Sequence, residues 1–178
     1  MAENGKRPTR RRRRSVSRFP SAVFRQSLSV VCSRFNEKVT SRLLASCLGA
    51  LEAGGIPPAR VRVVRVPGSW EIPWAAQEEA LSGRCRAVIC LGAIIQGETP
   101  QNRHLSSAVF SALQEVGLKT RVPVFLGVIT VDNVQQAMAR TRGSLDRGRE
   151  AAESALDMLA AAARPATRSR RGGGRRNG

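Results

Sequence analysis

Several residue groups in this chain have the types and spacing for chemistry. Gly97-Glu98-Thr99-Pro100 breaks the apolar run Ala87 to Ile95. Thr99 suits a helix N-cap and Pro100 a first helical position, so a helix beginning near Gln101 points unpaired backbone N–H groups toward the turn. Such a helix end draws anions. Arg140, Arg142, Arg147 and Arg149 gather around a glycine-containing turn, where guanidinium groups either grip a phosphate bidentately or form a solvated face. Phe35 and Trp70, two of only seven aromatics, interrupt polar loops. They either stack on a flat ligand or pack under a loop or at a subunit contact. Glu71, between Trp70 and Ile72, can accept hydrogen bonds from ligand hydroxyls or simply begin a helix. The single histidine, His104, lies three residues beyond Gln101 on roughly the same helical face. Histidine is the one side-chain type that can change charge near neutrality without a perturbed environment, so His104 is a candidate general acid/base.

The elements that position these groups are read from periodicity. Leu28–Ser33 is a buried strand, and Asn36 can cap a helix from about Glu37 to Ala53, whose Leu43, Leu44, Cys47, Leu48 and Leu51 share a face. Val61–Val66 is a second strand. It ends in a loop, Pro67 to Pro73, that opens a helix to about Leu81. The third strand, Ala87–Ile95, leads into a helix to about Gly117, followed by a strand at Val122–Ile129, a short helix at Asn133–Arg140 and a long Ala-rich helix at Arg147–Ala163. Strands separated by helices pair in parallel through right-handed crossovers. The fold class is α/β, a three-layer α/β/α sandwich on a four-stranded parallel sheet, flavodoxin-like. The strand ends then bring Phe35-Asn36, Ser69-Trp70-Glu71, Gly97-Glu98-Thr99 and Thr130 to Asp132 to one edge of the sheet, where open α/β sheets bind ligands.

The net charge of +17 belongs mostly to the tails. Residues 1–25 hold nine Lys/Arg and residues 164–178 hold six, whereas residues 26–163 carry fifteen basic and twelve acidic side chains, a net of +3. One folded domain at 21–163 is expected between a disordered Arg-rich arm, 1–20, and a disordered Arg/Gly-rich tail, 164–178. The arm reads as a solvated tail, as a polyanion-binding segment, or as an organelle transit peptide, the last disfavoured by five consecutive arginines. Cys32, Cys47, Cys85 and Cys90 lie in apolar surroundings without a CxxC spacing. Reduced, buried thiols are expected, with no metal site and no disulfide framework. The absence of a membrane-length apolar run or a secretory hydrophobic core leads to the expectation of a cytoplasmic protein with no membrane partner.

Four motifs in order, Ser33-Arg34-Phe35-Asn36, Val66-Pro67-Gly68-Ser69-Trp70-Glu71-Ile72-Pro73, Leu91 to Thr99 (LGAIIQGET) and Gly127-Val128-Ile129-Thr130, resemble the 6,7-dimethyl-8-ribityllumazine synthases of riboflavin biosynthesis. The similarity runs from about Leu28 to Ala163. It implies condensation of two small-molecule substrates, 5-amino-6-(D-ribitylamino)uracil and 3,4-dihydroxy-2-butanone 4-phosphate, with release of phosphate and water and without metal or organic cofactor. It also implies roles. Phe35 stacks on the pyrimidine, with Asn36 beside it, and Ser69, Trp70 and Glu71 form the loop facing the ribityl chain. Ile94 and Ile95 lie beside the ring. Gly97, Glu98 and Thr99 lie near the phosphate, which Arg140 binds, and Arg147 stands about where a second basic residue follows. The resemblance further implies a homo-oligomer, a pentamer that sometimes assembles into a sixty-subunit icosahedral shell, in which Leu126, Arg140 and Arg147 serve the neighbour's pocket and the segment around Phe19 to Phe24 adds a strand to an adjacent subunit.

The chain departs from the family pattern twice. Gln101 stands where the family has a histidine two positions after the threonine, and Gln96 replaces the usual arginine before the glycine. A carboxamide cannot carry a proton near neutral pH. Either His104 serves as proton carrier, or catalysis rests on juxtaposing two reactive substrates. The rival reading is a shell-forming relative without turnover, whose Arg-rich tails bind nucleic acid or acidic cargo. A flavodoxin-like receiver or cofactor carrier fits the fold class alone.

Overall fold

The computed structural model describes residues 27–163. The Arg-rich arm, the Arg/Gly-rich tail and the Phe19 to Phe24 segment lie outside the described residues. Four strands, β1 (Leu28–Ser33), β2 (Val61–Val66), β3 (Ala87–Ile95) and β4 (Val124–Val131), alternate with α1 (Glu37–Ala53), α2 (Ile72–Leu81), α3 (Gln101–Thr120), α4 (Val134–Ala139) and α5 (Arg147–Ala162). All strands pair in parallel, in the order β2-β1-β3-β4. This is the flavodoxin-like three-layer sandwich expected from the periodicity.

Alternation along the strands divides the core. Val30, Cys32, Ile89 and Leu91 face α1 and α5, and their neighbours Val31, Val88 and Cys90 face α2 and α3. Both central strands, β1 and β3, are buried on both faces, which is why they read as unbroken apolar runs. Each fully buried aliphatic side chain contributes about 1.5–3 kcal/mol relative to exposure. A third cluster, Val39, Leu43, Ala93, Ile129, Val131 and Ala137, closes the carboxyl ends of β3 and β4 under α1 and α4. It forms the floor on which the loops rest.

Three local features differ from the sequence expectation. Asn36 does not cap α1 with its side chain; it adopts the left-handed conformation at φ 59°, which asparagine tolerates better than most residues. Pro100 occupies the cap position of α3, and no side-chain cap is made by Thr99. β4 is shifted two residues along, because Pro123, with no N–H to give, stays outside the strand while its carbonyl accepts from Val88 N at 3.0 Å. At the other end β4 continues until Val131 pairs with Ile95. The four cysteines are free and buried.

α5 lies close against α1. A Cβ at Gly148 would collide with the main-chain oxygen of Leu43, so only glycine permits this approach. Asp146 fixes the start of α5 by accepting from Gly148 N and Arg149 N, each at 3.1 Å, and from Ser46 Oγ at 2.5 Å.

Candidate active site

The loops after β1, β2 and β3 are tied to one another by the main chain and by Asn36. Arg34 N donates to Val66 O at 2.8 Å and Phe35 N to Pro67 O at 2.9 Å, which holds the first loop against the second. Asn36 Nδ2 donates to Ala93 O at 2.9 Å, which holds it against β3. The left-handed turn at Asn36 thus makes its side chain a cross-link between loops. Between these loops and the start of α3 lies a cavity of about 390 Å³. Phe35, Asn36 and Ser69 wall one side, Ala93, Ile94 and Ile95 the base, and Gly97, Thr99, Gln101, Asn102 and Leu105 the other side. None of these eleven side chains titrates near neutral pH.

A larger hollow of about 810 Å³ opens at the opposite end of the sheet, among Arg121, Phe125 and Met158. It contains none of the predicted site residues. In an open parallel sheet the ligand site lies outside the carboxyl ends of the strands, and only the smaller cavity lies there.

One glycine shapes the surroundings of the cavity. A Cβ at Gly92, in the middle of β3, would come within 2.9 Å of Ile72 Cδ1 and 3.0 Å of Ser69 Oγ, so the absence of a side chain lets the second loop settle onto the strand. At Gly97 a Cβ would meet nothing within 4 Å. Together with the exposed start of α3, that open space is the kind of surface that accepts an anion.

This cavity, at the ends of three linked strands, draws on three of the four motifs that the sequence singles out; the fourth, Gly127 to Thr130, lies in β4 and contributes no lining residue. The family model of 6,7-dimethyl-8-ribityllumazine synthase matches residues 25–163. The chain belongs to that family. A 6,7-dimethyl-8-ribityllumazine synthase of Salinibacter ruber is 48% identical over 131 residues, covering 73% of this chain and 84% of the relative. Those of Protochlamydia amoebophila and Synechococcus elongatus are 41% and 43% identical over 138 and 135 residues, covering 77% and 74% of this chain and 80% and 75% of the relatives.

In this lumazine synthase family member the predicted residues divide into two sets. Phe35, Asn36, Ser69, Ile94, Ile95, Gly97, Thr99 and Gln101 line the cavity. Trp70, Glu71, Glu98, His104, Leu126, Arg140 and Arg147 are not part of its wall within one chain. Trp70 and Phe35 are both largely exposed, at 65% and 69%, and so is Leu126 at 51%. These apolar surfaces are open to a ligand or a neighbouring subunit. Glu71 turns back to accept from Gly68 N at 2.8 Å, stiffening its own loop. Arg140 and Arg147 form one unit, with Arg147 N donating to Arg140 O at 2.9 Å. Arg147 is paired with Glu150, and Arg140 donates from Nη1 to Gln136 O at 3.1 Å.

Two cavity residues escape a reading of motifs. Asn102 is 9% exposed, and its Oδ1 has no hydrogen-bond partner. Its signal in the sequence is faint: one carboxamide on the face of α3 otherwise buried as Ser106, Val109, Leu113 and Val116. Leu105, four residues beyond Gln101, continues the cavity wall by ordinary helical spacing. Among the described residues no helix is long and apolar enough to cross a membrane, and no group of three or more His, Cys, Asp and Glu could hold a metal.

Proposed function

We propose that this protein condenses 5-amino-6-(D-ribitylamino)uracil with 3,4-dihydroxy-2-butanone 4-phosphate to 6,7-dimethyl-8-ribityllumazine, releasing phosphate and water, as an enzyme of riboflavin biosynthesis. The observation that carries this is the cavity of the family fold, which unites Phe35, Ile94 and Ile95 with the Gly97–Thr99 turn. Phe35 and the two isoleucines offer flat apolar surface for a pyrimidine ring, and Asn36 and Ser69 supply polar atoms at its rim. Gly97, Thr99 and the start of α3 receive the phosphate. The family match favours this enzyme over a shell that has lost turnover. The test is the optical assay of lumazine formation by the purified protein, read against the spontaneous reaction of the same substrates.

The reaction joins an amine to a carbonyl and expels phosphate, so it needs the two substrates held face to face and the leaving group's charge held in place. A titratable base assists such steps by about 10²–10⁴-fold, whereas orientation of two reactants contributes far more in favourable cases. With Gln101 in the wall and no ionisable lining group, the geometry supports juxtaposition as the main source of rate, in preference to proton transfer by His104. Water and the substrates' own nitrogen and oxygen atoms carry the protons.

The site is completed by a second copy of the chain. Leu126, Arg140 and Arg147 stand on the β4, α4 and α5 side of the molecule, away from their own cavity, and in the pentamer of this family they serve the neighbour's. Arg140 then supplies the guanidinium that the phosphate site lacks within one chain. The same reading extends to a cytoplasmic, reducing setting in which four free buried thiols persist.

A further inference from the structure

Gln96 has a part that the family resemblance does not supply. It is the last residue before the cavity turn, and it belongs to the sheet: its main-chain N–H donates to Val131 O, at the end of β4, at 2.9 Å. Its side chain reaches the other way, with Nε2 donating to Gly97 O at 2.9 Å and to Thr99 O at 3.0 Å. One residue therefore joins the rigid sheet edge to two carbonyls of a solvent-facing turn, and Gly97 and Thr99 both line the cavity. The next hydrogen bond along, Arg103 N to Pro100 O at 3.0 Å, already belongs to the helix start. Thr99 makes no cap bond of its own.

We infer that Gln96 is the positioning residue of the phosphate subsite, holding the Gly97–Thr99 turn in the shape that receives the anion; this rests on the reading of that turn as the phosphate cradle. A carbonyl oxygen turned toward a phosphate repels it, and an unrestrained turn samples such orientations. A donor shared between the two carbonyls removes them from the anion's side and leaves the peptide N–H of Glu98 pointing away from the bonded Gly97 oxygen, across the C–N bond of a trans peptide. The amide is neutral and binds the loop rather than the substrate. Gln96 thus acts on affinity for the phosphate-bearing partner and not on affinity for the pyrimidine.

The test compares the full-length protein with Gln96→Met, which keeps length and volume without donors, and Gln96→Glu, which keeps shape and removes the donors by another route. Three quantities are read: the inhibition constant of inorganic phosphate against 3,4-dihydroxy-2-butanone 4-phosphate, the KM of each substrate, and kcat at saturation. Gln96→Met should raise the phosphate inhibition constant and the KM of the phosphate substrate about 3- to 10-fold, as the loss of one to two net hydrogen bonds implies. The pyrimidine KM and kcat should stay within about twofold on the same grounds, and Gln96→Glu should lose at least as much phosphate affinity. An unchanged phosphate constant in the neutral Gln96→Met variant, or an equal rise in the pyrimidine KM, would overturn the inference. If phosphate fails to compete in the unaltered protein, the phosphate cradle itself is misassigned.

Discussion

Gln101 lines the cavity, whereas His104, one turn further along the same helix, is exposed and forms no part of the cavity wall. Three residues of helix carry a side chain about 4.5 Å along the axis and some 60° around it. That displacement takes the only imidazole of the chain out of the cavity wall.

His104→Ala should therefore leave kcat and kcat/KM within about twofold of the unaltered protein, the usual scope of a surface change. Steady-state kinetics near neutral pH checks this. A loss of tenfold or more would restore His104 as the proton carrier.

Gln101→His places an imidazole in the cavity wall, with an unperturbed pKa of about 6.5. The variant should gain rate, up to the roughly 10²-fold at the lower end of general acid/base assistance. It should also acquire a titration near that pKa in its pH–rate profile. An unchanged rate and profile would mean that the reaction is insensitive to a proton carrier at this position.

Asn102 keeps a carboxamide oxygen buried without a partner, which costs a folded protein about 1–3 kcal/mol. Asn102→Leu, an apolar side chain of similar size, should raise stability by about 1 kcal/mol, read as a higher urea midpoint at unchanged slope. It should at the same time lower kcat/KM, because the cavity loses a polar group from its wall. A fall in both stability and activity would make Asn102 an ordinary packing residue.

Gly148→Ala should be among the most damaging single changes. Its methyl group would collide with the main chain of Leu43 rather than with a movable side chain, so the long contact between α1 and α5 would have to open. The expected loss is about 2–4 kcal/mol in urea unfolding, at and above the upper end of the ordinary range for overpacking because backbone must shift. A loss below about 0.5 kcal/mol, the size of an ordinary surface change, would contradict the closeness of that contact.

Burial raises the pKa of Cys32 to about 11 and of Cys47 to about 12, Arg65 partly offsetting the effect at Cys32 while Cys32 and Asp146 add to it at Cys47. Burial also raises those of Cys85 and Cys90. A thiol whose pKa is higher folded than unfolded contributes stability that is complete below its unfolded value and is lost as pH rises through the folded one. The folded protein should resist alkylation at pH 8. Its urea midpoint should fall as pH rises from about 9 toward 11–12. Rapid thiol labelling of the folded protein at pH 8 would contradict this burial.

The sandwich was legible because β1 and β3 are buried on both faces and α1 repeats its leucines at helical spacing. What local pattern missed was decided by tertiary contacts. Asn36 reads as a helix cap, yet Ala93 O, fifty-seven residues away, claims its amide. Thr99 reads as a cap too, but Gln96 takes its carbonyl and Pro100 fills the cap position. The motifs located the cavity wall at Phe35, Ser69, Ile94 and Gly97. They passed over Asn102, whose significance lies in a missing partner that no sequence pattern displays. That Trp70, Glu71, Glu98 and His104 lie outside a single chain's cavity wall required the fold, whereas for Arg140 and Arg147 the family resemblance already implied it.

The most direct test of the central claim is formation of 6,7-dimethyl-8-ribityllumazine from its two substrates between about pH 5.5 and 8.5, the range of an unperturbed histidine, each rate divided by the spontaneous rate at the same pH. We expect saturable acceleration at every pH, with no titration that His104→Ala abolishes, because none of the cavity's lining groups ionises there and the substrate phosphate, with a second pKa of about 6, titrates equally in both proteins. Folded, assembled protein that gives no saturable acceleration would contradict the assignment as an enzyme. Acceleration that rises or falls through a titration near pH 6.5 in the unaltered protein and not in His104→Ala would contradict a cavity that works by juxtaposition alone.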